Sequence, residues 1–343
     1  MQRDKVKVNL TGVSQTILIP LWSRAKISRE YSSLFYDAKA VELIEKIDYD
    51  FSTNDKVIPG YLPLLFVARA KQFDNKIRTY IREYPRASVV NIGAGLDTTF
   101  YRVDNGTIHW YDLDLPAVIK IRRQLLPEPD RVTYIEKSLL DPSWCNDIKH
   151  TENGVFMIAG GLLRYFEEAQ VRQLFSFLAD NLPGGEIVFD VDVESDIGPW
   201  IDRFPPEQKG AVRAALMEAM KDSWETAPQD EKDKLIAMLS TSVKPKGKEW
   251  TDIEVWWHQL SDEEMERVWH DFRILSNWGL ARWVLKDANE MKKWDSRITV
   301  IDQFPVFKNI PRDSLSTEMR QFIDDSGRSN LVNIIHLRFD TRR

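Results

Sequence analysis

Residues 88–95, SVVNIGAG, set a short run of apolar and β-branched side chains directly before two glycines. Such a run reads as a buried strand, and the glycines let the backbone turn sharply where the strand feeds a helix. Further strands are expected at 107–114 (TIHWYDLD), 132–135 (VTYI), 154–159 (GVFMIA) and 186–193 (EIVFDVDV). Helical patterns separate them. One starts at Pro116, a residue suited to a first helical turn. Another spans 162–182, with Leu163, Phe166, Val171, Leu174, Phe175, Leu178 and Leu182 on one face, and Pro183-Gly184-Gly185 closes it. Strands alternating with helices predict an α/β fold with a mostly parallel sheet covered on both faces.

Around this alternation the pattern changes. Residues 12–51 and 62–83 read as helical, the second stopped by Pro85. Residues 199–292 are helical and polar-aromatic, with little strand signal before FRILS at 272–276. Two late apolar runs, 297–304 and 331–339, read as closing strands of the same sheet, the last pair antiparallel. No stretch has linker composition. The expected organisation is one domain over 1–343, with N-terminal helices at 1–84 and a cofactor-binding core at 85–198. A helical cap at 199–292 and C-terminal strands of the core at 293–343 complete it.

Charge and cysteine content remove several function classes. Forty-seven Lys and Arg against 53 Asp and Glu leave a net charge of −6, which argues against a sequence-independent grip on nucleic acid. No run of 18 or more apolar residues appears, so no membrane span is expected. A single cysteine, Cys145, excludes an internal disulfide and fits a reducing cytoplasm; no Cys/His cluster has metal spacing.

The glycine turn continues as Asn91-Ile92-Gly93-Ala94-Gly95-Leu96-Asp97. A dinucleotide site wants a third glycine and an open helix N-terminus for pyrophosphate. This chain has Thr98 at the third position, and the Asp97 charge is poorly placed for phosphate. S-adenosylmethionine carries no phosphate, and its sulfonium and ammonium are positive, so an acid beside the turn suits it. The second strand ends in Asp112-Leu113-Asp114, where a carboxylate can accept both ribose hydroxyls. Ser138-Leu139-Leu140-Asp141 leaves the third strand where an adenine edge could be met. For Asp112 and Asp114 the plainer alternative is capping of the helix at Pro116.

NIGAGLDTTFYR, YDLDLPAVIKIRRQLL, SLLDPSW and GGLLRYFEEAQVRQLF with PGGEIVFD resemble the leucine carboxyl methyltransferase superfamily. The polyketide O-methyltransferase (tetracenomycin-type) branch is the nearer match, and the resemblance covers most of the chain outside roughly 200–260. It implies a class I S-adenosylmethionine-dependent methyltransferase, Rossmann-like in its sheet, with an N-terminal helical segment and a helical cap insertion. Gly93, Gly95 and Asp97 match the family's glycine loop, and Asp112 and Asp114 its acidic pair. Ser138 and Leu139 fall where the family meets adenine. Arg69 stands where it places an arginine for the methionine carboxylate. After the fourth strand, Gly160 occupies the position of a family acid and Arg164 that of an apolar residue; Tyr165 matches, near the cleft floor.

Methyl transfer from a sulfonium depends mainly on alignment and desolvation, so a weak base or none suffices. Tyr165 and His258, the latter beside Trp256 and Trp257, are the catalytic candidates, against the plainer reading of His258 as packed or solvated. Nine of the 12 Trp lie after residue 199 and could line a pocket for an aromatic acceptor or simply bury the cap. The charged stretch 206–238 reads as a solvated outer face, with pairing to a second copy as a homodimer its alternative. The expected activity is O-methylation of a small aromatic or polyketide-like hydroxyl or carboxyl acceptor in secondary metabolism. Carboxyl methylation of a protein C-terminus or small acid, a non-methylating binding protein or cyclase-isomerase on the same fold, and NAD-dependent reduction are the alternatives.

Overall fold

The computed structural model describes residues 5–8, 17–58, 60–193, 244–261, 283–329 and 332–341, with isolated positions between 210 and 264. The chain divides into two compact units. The first holds Met1–Phe51, Gly60–Ser195 and Ala281–Arg343; the second holds Ser52–Pro59 and Asp196–Leu280.

In the first unit the expected helical stretch 12–51 resolves into α1 (Leu18–Glu30) and α2 (Ala38–Lys46). Asp37 makes the break, because its carboxylate accepts the Ala40 N–H at 2.9 Å and caps α2. Leu34 and Phe35 are buried in the connection, so their apolar spacing imitated a continuing helix. Beyond α3 (Ser52–Val57), which belongs to the second unit, α4 (Leu62–Glu83) begins with Pro63 in its first turn. It buries Leu64, Val67, Phe73, Ile77 and Ile81.

The sheet then builds in order. β1 (Ser88–Ile92) leads to α5 (Thr99–Val103), β2 (His109–Asp114), α6 (Pro116–Leu125) and β3 (Val132–Glu136). β4 (Val155–Ala159), α7 (Glu168–Asn181) and β5 (Glu186–Asp192) follow. α7 starts six residues later than its apolar face suggests. Gln170 Oε1 accepts the Glu167 N–H at 2.9 Å there, the reciprocal half of a capping box. The residues before it form a separate 3₁₀ turn, Leu163–Tyr165. After α8 (Trp250–Trp257) of the second unit come β6 (Ile298–Pro305), α9 (Thr317–Ser329) and β7 (Val332–Phe339).

The seven strands lie in the order β3-β2-β1-β4-β5-β7-β6. β1 to β5 are parallel, and β7 runs antiparallel to both β5 and β6. This is the expected class I methyltransferase sheet. Side-chain alternation sends Val89, Trp110, Phe156 and Ile334 into one core with α4 and α9. Val90, Tyr111, Met157 and Ile335 go into the other, with α7. Strand order reverses between β1 and β4, and a crevice opens beyond the carboxyl ends of strands at such a reversal.

In the second unit, α8 buries Ile253, Trp256 and Trp257, and the Trp224 indole N–H donates to the Lys248 carbonyl at 2.9 Å. The strand expected at 272–276 and most of 206–238 lie outside the described residues.

Candidate functional site

A cavity of about 520 Å³ lies at the reversal, lined by residues of the first unit alone. Gly93–Asp97 follow β1, Asp114 ends β2 and Leu115 follows it, Ser138 and Leu139 follow β3, and Gly160–Leu162 follow β4. Arg24 from α1, Phe66, Arg69 and Phe73 from α4, Lys137 after β3 and Arg164 before α7 also line it.

The turn after β1 needs glycine for conformation and for space. Gly93 has φ +69° and Gly95 φ +47°, and a Cβ on Gly93 would meet Leu162 at 2.8 Å. The N–H groups of Gly93 and Ala94 donate to the Leu113 carbonyl, at 2.8 and 3.1 Å. Asp114 closes the loop: Oδ2 accepts the Gly95 N–H and Oδ1 the Leu115 N–H, both at 2.7 Å. Burial pushes its carboxyl above the usual range, and the two N–H groups oppose that shift. Each oxygen retains accepting capacity toward the cavity.

The expected acidic trio separates. Asp112 is fully buried and is absent from the cavity wall, which corrects its assignment to a cofactor contact. It accepts from Arg122 Nη2 at 2.6 Å, Trp110 Nε1 at 2.9 Å and Asn91 Nδ2 at 3.0 Å. Arg122 Nη1 in turn donates to the carbonyls of Gly95 and Asp97, at 3.0 and 2.8 Å. Asp112 therefore acts on the glycine loop from behind, through Arg122. Asp97 does line the cavity, but much of its charge is already matched. Burial pushes its carboxyl up, yet Arg24, Arg102 and the Thr99 N–H outweigh that and hold it at about 2.

Arg24 and Arg102 belong to a network that the sequence reading missed. Asp37 accepts from Arg24 Nε at 3.1 Å, Arg102 Nη1 at 2.6 Å and Thr98 Oγ1 at 2.5 Å. Arg102 also forks onto Asp74, at 2.8 and 2.9 Å. Arg24 Nη2 reaches the Leu96 carbonyl at 2.9 Å, tying α1 to the turn. Nothing in the spacing of these residues announces the network, because each pair joins separate elements.

Across the cavity, Arg69 crosses the loop after β4. A Cβ on Gly160 would stand 3.2 Å from Phe73 and 3.6 Å from Arg69 Nε; one on Gly161 would stand 2.5 Å from Arg69 Nη1. Asp190 of β5, also missed, meets Arg69 Nη1 at 3.0 Å and the Gly161 N–H at 2.6 Å. Asp190 interrupts the apolar run Ile187–Val191 of β5, and that interruption was the available signal.

Ser138 and Leu139 are on the wall, with Ser138 Oγ accepting the Leu140 N–H at 3.2 Å. Tyr165 is on the wall too, in the 3₁₀ turn whose Leu163 carbonyl accepts the Trp283 indole N–H at 2.8 Å. His258, exposed at the end of α8, belongs to the second unit and is not a lining residue of this cavity. Of the tryptophans, Trp283 and Trp294 pack against each other in the core with α7, 5.8 Å between rings. Trp200, Trp269 and Trp278 lie outside the described residues.

The leucine carboxyl methyltransferase family model matches residues 19–179. The tetracenomycin polyketide synthesis O-methyltransferase of Streptomyces glaucescens is 32% identical over 198 residues, 57% of this chain and 70% of that protein. An S-adenosyl-L-methionine-dependent methyltransferase of Gibberella zeae is 29% identical over 205 residues, 54% of this chain and 68% of that one. A solved O-methyltransferase family protein from Burkholderia thailandensis superposes with a TM-score of 0.40 and 12% identity, over 96% of this chain and 73% of that one. With a family match running from α1 into α7 and a relative aligned over more than two thirds of its length, this chain belongs to the leucine carboxyl methyltransferase family.

Proposed function

We propose that the protein binds S-adenosylmethionine in the 520 Å³ cavity and methylates an oxygen of a small aromatic or polyketide-like acceptor in secondary metabolism. The observation that carries the reading is the placement of Asp114 and Arg69 in one cavity at the sheet's reversal, with the Gly93–Gly95 turn between β1 and the cavity. The donor set fits the cofactor piece by piece. Asp114 offers two carboxylate oxygens to vicinal hydroxyls, while its charge and that of Asp97 disfavour a pyrophosphate. Arg69 offers a planar guanidinium to a carboxylate. Leu113, Leu139 and Val118 offer an apolar slot for a purine, with Ser138 at its edge.

When bound, S-adenosylmethionine supplies a methyl group on a positively charged sulfur. The chain's part is alignment and the exclusion of water. Phe66, Phe73, Leu162 and Phe166 present apolar walls suited to a flat acceptor, and Tyr165 places a phenol among them. Tyr165 is the group we assign to orient the acceptor oxygen. The polyketide O-methyltransferase named among the relatives supports this acceptor class. Among the described residues no helix is long and apolar enough to cross a membrane. The single cysteine is what supports our placing the activity in a reducing cytoplasm.

Calorimetric titration with S-adenosylhomocysteine tests the site. Saturable binding in the micromolar range is expected, weakened by Asp114→Ala by about tenfold or more through lost charged hydrogen bonds. No binding by the wild type at high micromolar concentration would overturn the cofactor assignment.

A further inference from the structure

The loop after β4 lacks the acid that the family resemblance implies at position 160, yet the arginine on the opposite wall is not left without a carboxylate. Arg69 and Asp190 approach from elements 121 residues apart, with Nη1 and Oδ2 3.0 Å from each other. Their side chains are only 16% and 12% exposed, so the guanidinium would otherwise lose much of its hydration uncompensated. The other oxygen of Asp190 accepts the Gly161 N–H at 2.6 Å, which joins the loop to the same carboxylate. Glycine leaves the berth that Arg69 occupies. Gly161, at φ +67°, would set a Cβ 2.5 Å from Nη1. A Cβ at 160 would stand in ordinary contact with Nε, at 3.6 Å, and closer to Phe73, at 3.2 Å, so the space the guanidinium needs is left by Gly161. Among the described residues, the rest of the guanidinium fork has no protein acceptor, and Arg69 lines the cavity.

We infer that Asp190 is a positioning residue: it holds Arg69 across Gly160-Gly161 so that the guanidinium meets the carboxylate at the amino-acid end of the cofactor. Asp190 does not itself line the cavity, so its action on a bound ligand runs through Arg69. The inference rests on the cofactor reading above. It also gives Gly161 a purpose, since a side chain there would displace the arginine.

Two nucleosides separate this role from a merely structural one. S-adenosylhomocysteine has the amino-acid end; 5′-methylthioadenosine has the same adenosine and thioether without it. Asp190→Asn is expected to weaken S-adenosylhomocysteine about tenfold or more and to leave methylthioadenosine within about twofold of wild type. Asp190→Glu, which keeps the charge, recovers most of that loss. Arg69→Ala shows the same selective loss, and the double variant Arg69→Ala/Asp190→Asn loses no more than Arg69→Ala alone. Methylthioadenosine binding also reports that each variant is folded, and Asp190→Ser is read in the same way if the Asn variant does not fold. Equal weakening of both nucleosides, or an unchanged affinity for S-adenosylhomocysteine, overturns the inference. A wild type that binds neither nucleoside overturns the cofactor reading, and this inference with it.

Discussion

Asp112 and Asp114 are two residues apart on one strand and face the same side of the sheet, yet they do different work. Asp114 ends the strand, so its carboxylate reaches the cavity; Asp112, one pleat earlier, is sealed beneath α6 with Arg122. Removing Asp112 strands a buried guanidinium and releases the grip on the Gly95 and Asp97 carbonyls. Asp112→Ala is therefore expected to lower stability by about 3–5 kcal/mol, the usual cost of breaking a buried ion pair from one side. Urea denaturation measures it, with Asp114→Ala as a control that loses about 1–2 kcal/mol with its two backbone hydrogen bonds. Equal losses in the two variants would mean that the buried pair does not hold the loop. From sequence the acidic pair was legible as a pair, and so was its alternative as a helix cap. Which carboxylate meets the cavity depends on where the strand ends relative to α6, and no residue spacing encodes that. Arg69 was legible through resemblance; Asp190 was not, because its meaning comes from a partner on a different element.

At the scale of elements, strands were easier to read than helices. Each expected strand among the described residues appears within about two residues of its apolar run, since a parallel strand buried on both faces must be apolar throughout. The helical boundaries failed where buried apolar residues continued beyond the helix. Leu34 and Phe35 did this before α2, and Leu163 and Phe166 did it before α7. The second case matters for chemistry, because the Leu163–Tyr165 turn carries Tyr165 into the cavity wall. Trp283 anchors that turn through a buried indole N–H on the Leu163 carbonyl. Trp283→Phe keeps the aromatic packing against Trp294 and deletes the donor. It is expected to cost about 1–2 kcal/mol and to speed amide exchange at Tyr165 and Phe166, whose N–H groups close the turn onto Leu162 and Leu163. Exchange in β5 stays at the wild-type rate. Unchanged exchange in the turn would show that packing alone holds it.

For the whole molecule, the topology locates the cavity and the N-terminal helices finish it. A mostly parallel sheet with late antiparallel strands could be anticipated from the alternation of elements, though not its strand order. What could not be anticipated is that α1, α2 and α4 join the sheet in one compact unit, with Asp37 and Asp74 bridging them to α5 through Arg102. The wall of the cavity is thus drawn from the first helix to the turn before α7, and a ligand seated there touches segments that separate on unfolding. A ligand that binds the folded state alone stabilises it by mass action, by about 2.7 kcal/mol at a hundredfold excess over its Kd. For a chain of this size, with an unfolding entropy of about 2.1 cal/mol/K per residue, that corresponds to a rise of about 4 °C in melting temperature. S-adenosylhomocysteine is expected to produce such a rise in the wild type and a much smaller one in Asp114→Ala at the same concentration. NAD is expected to produce none in either protein, because Asp97 and Asp114 stand where its pyrophosphate would need donors. A shift with NAD and none with S-adenosylhomocysteine would reverse the argument from Asp97 and Asp114, and with it the reason for reading the cavity as a site for a cationic cofactor.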